Sequence, residues 1–472
     1  MLTDSEYAKV KYLYNKLIKE YRPENARKRA EYHGKDKLID LGISSPPQMR
    51  NKRYPLGWCK LAIDSEVALN KWQGWKYQNE DLALNKEYDA ADLDAEWRTL
   101  ATERKIIGTT YMVTSHGDTS IGENKLIITA ESADYVATEF NPRTKRVSYA
   151  IQVTEPNEDK IVYGNLITDN EYVPFKVVKN NILDDEDSER VWHGTGAVPV
   201  VKFMNNVDGT GVRGHSQITE AWREVFQMAR RTMKNSELAR EYFATPWRYV
   251  LNAEQDMFEN PDGTMKTALD ISMDKFAAFP APKGGKEDHP VEVGQFPSNS
   301  PEAFISLMKT YAELFSSYSH LPLHRLGYAP ANPETAEAIW ASKEDLIEAV
   351  KMDQLTLKRP LKELAWLIIK MRDGVVPEDF EVIPNFEDPD KVALAAATDA
   401  VAKQIEAGTL RPDSELVLEK LGYNRKEIEQ IQAENSAITA TNLIESLRAK
   451  DNTSVAQPAN PTDNLTDASQ GA

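Results

Sequence analysis

Residues 321–372 read LPLHRLGYAPANPETAEAIWASKEDLIEAVKMDQLTLKRPLKELAWLIIKMR, and two structural statements stand side by side in them. The first part, 321–333, is punctuated by Pro322, Gly327, Pro330 and Pro333, which marks a loop. Asn332-Pro333-Glu334-Thr335 then supplies a helix start, and helical signals continue to Arg372. A helix over 334–372 spans about 58 Å at 1.5 Å per residue. Pro360 falls inside it, where a proline removes one backbone hydrogen bond and kinks the rod.

Upstream, Asn299-Ser300-Pro301 opens a helix over 301–319 with proline at its first position. Ahead of it lies a Pro/Gly-rich insert, Phe279-Pro280-Ala281-Pro282-Lys283-Gly284-Gly285-Lys286, continuing to Val291–Phe296. A further helix is expected over 264–276, so two helices flank a compact non-helical insert. Ile218, Ala221, Trp222, Val225, Phe226, Met228 and Ala229 keep helical spacing between Ser216 and Phe243, about 42 Å of helix ended by Thr245-Pro246-Trp247.

Residues 104–204 change character to short β-branched and aromatic runs: Lys105–Met112, Lys125–Thr129, Val147–Val153, Ile161–Ile167, Tyr172–Val178 and Val198–Met204. Turn clusters between them predict an antiparallel, meander-like sheet. The N-terminal 80 residues read as helical. Thr3-Asp4-Ser5 is a cap signal, Tyr7, Val10, Leu13, Leu17 and Ile18 recur at helical spacing, and Pro46-Pro47 interrupts. Trp72 and Trp75 are placed with a short helix starting near Asp64. Downstream, helices are expected over Pro389–Ala407, 413–421 and 425–449, and the polar end 451–472 reads as a disordered tail. The fold class is α+β.

Composition narrows the function. Seventy-four acidic against 57 basic residues give a net charge of −17, which argues against a free-standing protein that grips duplex DNA through its phosphates. A hydrophobic content of 41% sustains real cores. The single cysteine, Cys59, excludes an intrachain disulfide and a cysteine-based zinc site. No secretory signal opens the chain, and no apolar run approaches the roughly 20 residues that cross a bilayer. A soluble chain in a reducing cytosol, with no membrane partner, is expected.

Chemistry-bearing motifs are few. Gly209-Thr210-Gly211-Val212-Arg213-Gly214 is a literal G-x-G-x-x-G before a helix, the pattern that cradles pyrophosphate in dinucleotide folds. The strand before it closes a meander, however, and no second parallel strand follows, so a turn feeding a helix is the favoured reading. Of the histidines, only His320 and His324 are close, and Pro322 between them prevents a helical metal pair. Asp184-Asp185-Glu186-Asp187 reads as a solvated acidic loop. Basic residues are dispersed, among them Arg230-Arg231 and Lys234, which read as a solvated face or a subunit interface. Neither a catalytic constellation nor a cofactor site is expected.

The order of elements resembles the portal protein of tailed double-stranded DNA phages, in particular the type common in phages of actinobacteria. Leu13-Tyr14-Asn15 with Ile43-Ser44-Ser45-Pro46-Pro47 is similar to the family's opening, as is Val198-Pro199-Val200-Val201 with Gly211–Ser216. Glu241-Tyr242-Phe243-Ala244-Thr245-Pro246-Trp247-Arg248 resembles the family's E-x-x-A-x-P-x-R helix end. Leu326-Gly327-Tyr328 with Asn332-Pro333-Glu334-Thr335-Ala336-Glu337-Ala338-Ile339 is close to L-G-x(3–5)-N-P-x-S-A-x-A-I, with Thr335 keeping the hydroxyl of the commoner serine. Glu406-Ala407-Gly408 and Glu415–Tyr423 match the family's C-terminal part.

That resemblance implies a ring, usually of twelve copies, at one capsid vertex of the virion, assembled in the host cytoplasm. It also implies docking of the terminase large subunit and later of a head–tail adaptor, contacts with major capsid and scaffolding proteins, and double-stranded DNA in a central channel. It assigns 1–255 to a wing, 256–276 and 299–320 to stem helices, 277–298 to a clip, and 321–333 to a tunnel loop. The remainder becomes a long kinked helix returning to the wing (334–387), a helical crown (388–450) and a tail (451–472). Arg325, His324, Leu326, Tyr328, Lys266, Lys275 and Lys309 then become candidates for the DNA channel. Phe279, Pro280, Pro282, Lys283, Lys286, Val291 and Phe296 become candidates for the adaptor and terminase interface. The competing readings are another virion structural or adaptor protein, or a nucleotide-binding enzyme using Gly209–Gly214.

Overall fold

Thr3 starts the first helix reciprocally: its Oγ1 accepts from the Glu6 N–H at 3.3 Å, while Glu6 Oε2 accepts from the Thr3 N–H at 2.7 Å. The computed structural model describes residues 2–38, 53–78, 82–209, 212–243, 248–253, 264, 276–280, 290–295, 300–328, 341–390 and 394–453. They form two compact units, Met1–Pro389 and Asp390–Ala472. In the first, α1 (Asp4–Lys16) passes through a π-helical turn, Leu17–Tyr21, into α2 (Arg22–Tyr32). Next come α3 (Trp58–Leu69), β1 (Trp72–Lys76), α4 (Leu84–Ala90) and α5 (Leu93–Ile107).

The β region holds two sheets. One has the order β10 (Val200–Met204), β2 (Thr109–His116), β3 (Leu126–Ser132). The other is a meander of β4 (Val136–Asn141), β5 (Arg146–Val153), β6 (Val162–Ile167), β7 (Glu171–Val178) and β8 (Asn181–Asp184), with β9 (Val191–Trp192) pairing to β7. All these pairings are antiparallel. Alternation places Val173, Phe175 and Val177 on one face of β7, where they pack with Val10, Leu13 and Leu17 of the N-terminal helix.

α6 (Glu220–Phe243) follows, then a three-stranded sheet in which β11 (Arg248–Ala253) pairs parallel with β12 (Phe276–Pro280) and antiparallel with β13 (Glu292–Gln295). α7 (Glu302–Ser319), α8 (Glu344–Asp373) and β14 (Ile383–Phe386) complete the unit. β14 returns to pair with β1, so Trp72 sits opposite Phe386. The main core gathers Trp72, Trp75, Tyr88 and Trp97, and the polar ends of Trp75, Tyr88 and Trp97 are satisfied. Trp75 Nε1 donates to Leu361 O at 3.0 Å, and Trp97 Nε1 to Asn70 O at 2.8 Å. The second unit contains α9 (Leu394–Glu406), α10 (Glu415–Lys420) and α11 (Arg425–Thr453).

The α+β class and the meander agree with the sequence, but several local expectations do not. Lys105–Ile107 closes α5 instead of opening a strand, because these residues are buried all round and a helix end there is indistinguishable from a strand by periodicity. Trp72 and Trp75 lie on a strand, whose partner β14 is remote in sequence. The helix expected from Ser216 begins at Glu220. Phe276 opens a strand rather than ending a helix. Asp185, assigned to a solvated loop, is buried against Lys176 at 3.6 Å and accepts from Ser188 Oγ at 2.7 Å. Helix persists through 451–453 at the start of the expected tail. Pro360 does lie inside a continuous helix, α8, as the sequence predicts. Within the single helix expected over 334–372, residues 342–343 form a turn and α8 begins only at Glu344, while 334–340 and the remaining tail lie outside the described residues.

Candidate functional site

The element that follows the insert is only half packed. In α7, Ala312, Phe315 and Ser319 are buried against α6, whereas none of residues 302–311 is fully buried. Trp58 and Trp222 hold Phe315 from two sides, with ring centroids 5.5 and 5.2 Å away. Trp222 Nε1 donates to Tyr318 O at 3.0 Å, satisfying a carbonyl that the helix end would leave open. Beyond this anchor, Ile305 is 60% exposed and extends the buried stripe two turns past its partner. Leu307, Leu314 and Tyr318 are also exposed and form a second stripe. The sequence signal was present: α7 carries apolar residues on more than one face, which is wider than one packing surface requires.

The chain leaves α7 through His320, held in the left-handed region at φ 55°, and Ser316 Oγ donates to Leu321 O at 2.6 Å. A short 3₁₀ turn, Leu323–Leu326, ends at Gly327 with φ +90°, where a side chain would be strained. Leu321 and Leu326 point into the main core, and this anchoring leaves Arg325 exposed. His324 and Tyr328 are half-buried, and burial pushes the Tyr328 hydroxyl up. Leu326, grouped from the sequence with the channel candidates, therefore holds the loop down. Lys309 is exposed on α7, 3.9 Å from Glu313. Phe279 and Val291 are exposed, and Pro280 ends β12. Lys266, Lys275, Pro282, Lys283, Lys286 and Phe296 lie outside the described residues.

Behind α7, α6 is fixed by charge. Arg230 is fully buried: its guanidinium donates to Asp36 Oδ1 at 2.7 Å, to Asp36 O at 3.0 Å and to Tyr54 O at 2.9 Å. Lys234 is buried as well. Neither belongs to the solvated face read from the sequence. Arg223 adds a 2.8 Å pair to Glu31 of α2.

The glycine motif has a backbone role. A Cβ on Gly214 would lie 1.9 Å from Gly108 O, and one on Gly108 would lie 2.7 Å from Gly214 O. Asn205 N donates to Gly108 O at 2.9 Å and His215 N to Asn205 O at 2.7 Å, so two chain segments cross here without room for side chains. Four residues separate Gly214 from Glu220 beyond His215, so the glycines do not form a helix N-terminus. A cavity of about 800 Å³ between α2, α3 and α5 is lined by charges that include two ion pairs, Arg29 with Glu103 and Lys60 with Asp64. Among the described residues no three His, Cys, Asp or Glu gather to hold a metal ion, and no helix is long and apolar enough to cross a membrane.

Comparison with known proteins converges on one family. A family model described as phage portal protein, SPP1 Gp6-like, matches residues 6–440. The portal protein of Mycobacterium phage L5 is 26% identical over 403 residues, 83% of this chain and 81% of the relative. The portal protein of Mycobacterium phage D29 is 25% identical over 420 residues, 87% and 84% of the two chains. A solved structure described as the neck of a native GTA particle computed with C12 symmetry aligns at 13% identity and a TM-score of 0.37, covering 70% of this chain and 79% of that one. With the family match running almost end to end, the chain belongs to the SPP1 Gp6-like family of phage portal proteins.

Proposed function

We propose that this portal protein closes into a ring, expected at twelve copies, at one vertex of the capsid, with the genome passing through its central channel during packaging and ejection. The observation that carries the assembly is the exposed apolar surface of α7: Ile305, Leu307, Leu314 and Tyr318 present side chains that a neighbouring copy would cover. In this scheme α7 is a stem helix, 277–298 the clip, 321–333 the tunnel loop, 334–387 the long helix and its return, and 388–450 the crown. Residues 1–255 form the wing. Among the described residues Arg325 and Lys309 are the cations offered to passing DNA, and Lys266 and Lys275 keep that role from the sequence, on a chain whose net charge of −17 opposes tight phosphate binding. The clip meets the terminase large subunit and then the head–tail adaptor, and the wing meets major capsid and scaffolding proteins. Assembly takes place in the host cytoplasm and needs no cofactor. Negative-stain microscopy with native mass measurement tests the scheme: a hollow ring of about a dozen subunits is expected, and a chain that stays monomeric across protein and salt concentrations overturns it.

A further inference from the structure

Among the described residues of this net-acidic chain, a dense basic patch is assembled from two remote segments. The β4–β5 hairpin, Asn141 to Arg146, lies on the middle of α8: Arg359 Nη2 donates to Thr144 O at 3.1 Å, and Arg146 sits 4.8 Å from the Trp366 ring centroid and 3.9 Å from Glu363. The hairpin backbone is held by its own hydrogen bonds. Asn141 Oδ1 accepts from the Arg143 N–H at 2.9 Å and the Thr144 N–H at 3.3 Å, and Asn141 O accepts from the Lys145 N–H at 2.8 Å. This fixes Arg143 and Lys145 at the tip. On α8, Arg359, Glu363 and Trp366 form the ridge under the hairpin, and Lys358 and Lys362 form the exposed ridge beside it. Six cations, Arg143, Lys145, Arg146, Lys358, Arg359 and Lys362, thus meet two lining carboxylates, Glu363 and, beside Arg146, Asp169. Arg143, Lys145, Lys358 and Lys362 have no ion pair with any described residue.

We infer that this patch binds the phosphate backbone of duplex DNA on the body of the subunit, separately from the channel. At about 0.1 M salt the Debye length is about 10 Å, so the remote acidic residues behind the net charge of −17 are screened while the local cations act together. The free ammonium and guanidinium groups stand on an open surface, which suits a continuous line of phosphates. Counterion release from four free cations corresponds to a slope of roughly −3 to −4 in log K against log salt.

Covalently closed circular duplex DNA cannot thread a closed ring, so its binding reads this patch even where the channel assignment fails. The comparison is wild-type protein against Arg143→Gln, Lys145→Asn, Lys358→Gln and Lys362→Gln combined, with asparagine chosen because residue 145 has φ 58°. Wild type should retain closed circles at low salt with the slope above. The fourfold variant, with an unchanged melting temperature, should lose at least tenfold in affinity and most of the slope. Equal binding by the variant, or wild-type protein that ignores circles while binding polyglutamate, overturns the inference, the latter in favour of an acidic protein partner.

Discussion

Arg104 of α5 and Asp353 of α8, 249 residues apart in sequence, form an ion pair whose side chains are 0% and 8% exposed. The pair is the centre of a network. Asn70 Nδ2 donates to Asp353 Oδ2 at 2.9 Å, Lys105 Nζ lies 3.4 Å from the same oxygen, and Lys105 also pairs with Glu66 of α3 at 2.5 Å. The long helix is therefore tied to the α3–α5 layer by charges that water cannot rescue.

Asp353→Ala should consequently destabilise the subunit by about 3–5 kcal/mol, since it leaves Arg104 and Lys105 short of a buried counter-charge. Lys351→Ala, which removes a solvent-exposed pair to Asp388 at 3.8 Å, should cost less than about 1 kcal/mol. Burial alone would raise the Asp353 carboxyl, but Arg104 and Lys105 outweigh it and hold the group below the usual carboxylate value. Its contribution is then present above the unfolded-state pKa and fades as pH falls through the native one. Denaturant midpoints at pH 7 and pH 3 check this: the gap between wild type and Asp353→Ala should narrow in acid.

Gly214→Ala should cost about 1–3 kcal/mol or more, because the new Cβ meets the Gly108 carbonyl. Gly209→Ala, with open space around it, should stay within about 0.5 kcal/mol. A pyrophosphate loop would need both glycines. Thermal melts of the two variants, with and without NAD or ATP, separate the roles: equal sensitivity at both sites, or a nucleotide-induced rise in melting temperature, contradicts the crossing-backbone account.

What the sequence disclosed was local. Thr3 capping and the alternation in β5, β6 and β7 depend on neighbours within a few residues, and those elements were legible. Trp72 was misplaced because its strand exists only through β14, and Arg230 looked solvated because its partner Asp36 is 194 residues away. The basic patch was invisible for the same reason. Arg143 to Arg146 and Lys358 to Lys362 are ordinary charged runs until the hairpin seats on the helix. Of the channel candidates, Arg325 and Leu326 are adjacent in sequence but face opposite ways, which is set by the 3₁₀ turn and the core beneath it.

Glu363 gives the hairpin contact a pH response. Burial pushes its carboxyl up to about 7, and Arg146 and Arg359 only partly offset this. A carboxyl raised on folding stabilises the native state fully below its unfolded value near 4.5, and that stabilisation is lost as pH rises through the native value. The subunit should lose about 2–3 kcal/mol between pH 4.5 and pH 8 from this group, an order-of-magnitude figure from the shift. Glu363→Gln, neutral throughout, should flatten that slope and match or exceed wild-type stability at pH 8. Parallel pH profiles for the two proteins would contradict it.

The exposed stripes of α7 make the sharpest demand on the assembly. A side chain that is free in the monomer and buried in the ring should be silent in one state and decisive in the other. Leu307→Asp with Leu314→Asp replaces two exposed leucines on the second stripe, so the isolated subunit should change by less than about 0.5 kcal/mol per site. In a ring, each carboxylate would be buried at every repeat of the interface without a partner, a penalty of several kcal/mol per site. Ser317→Asp, at an exposed polar position on the same helix, adds charge without removing apolar surface and should be tolerated. Sedimentation and native mass should show wild type and Ser317→Asp as rings and the double variant as folded monomers with an unchanged melting temperature. Intact rings in the double variant would mean that α7 faces the lumen or solvent and that the subunits meet elsewhere.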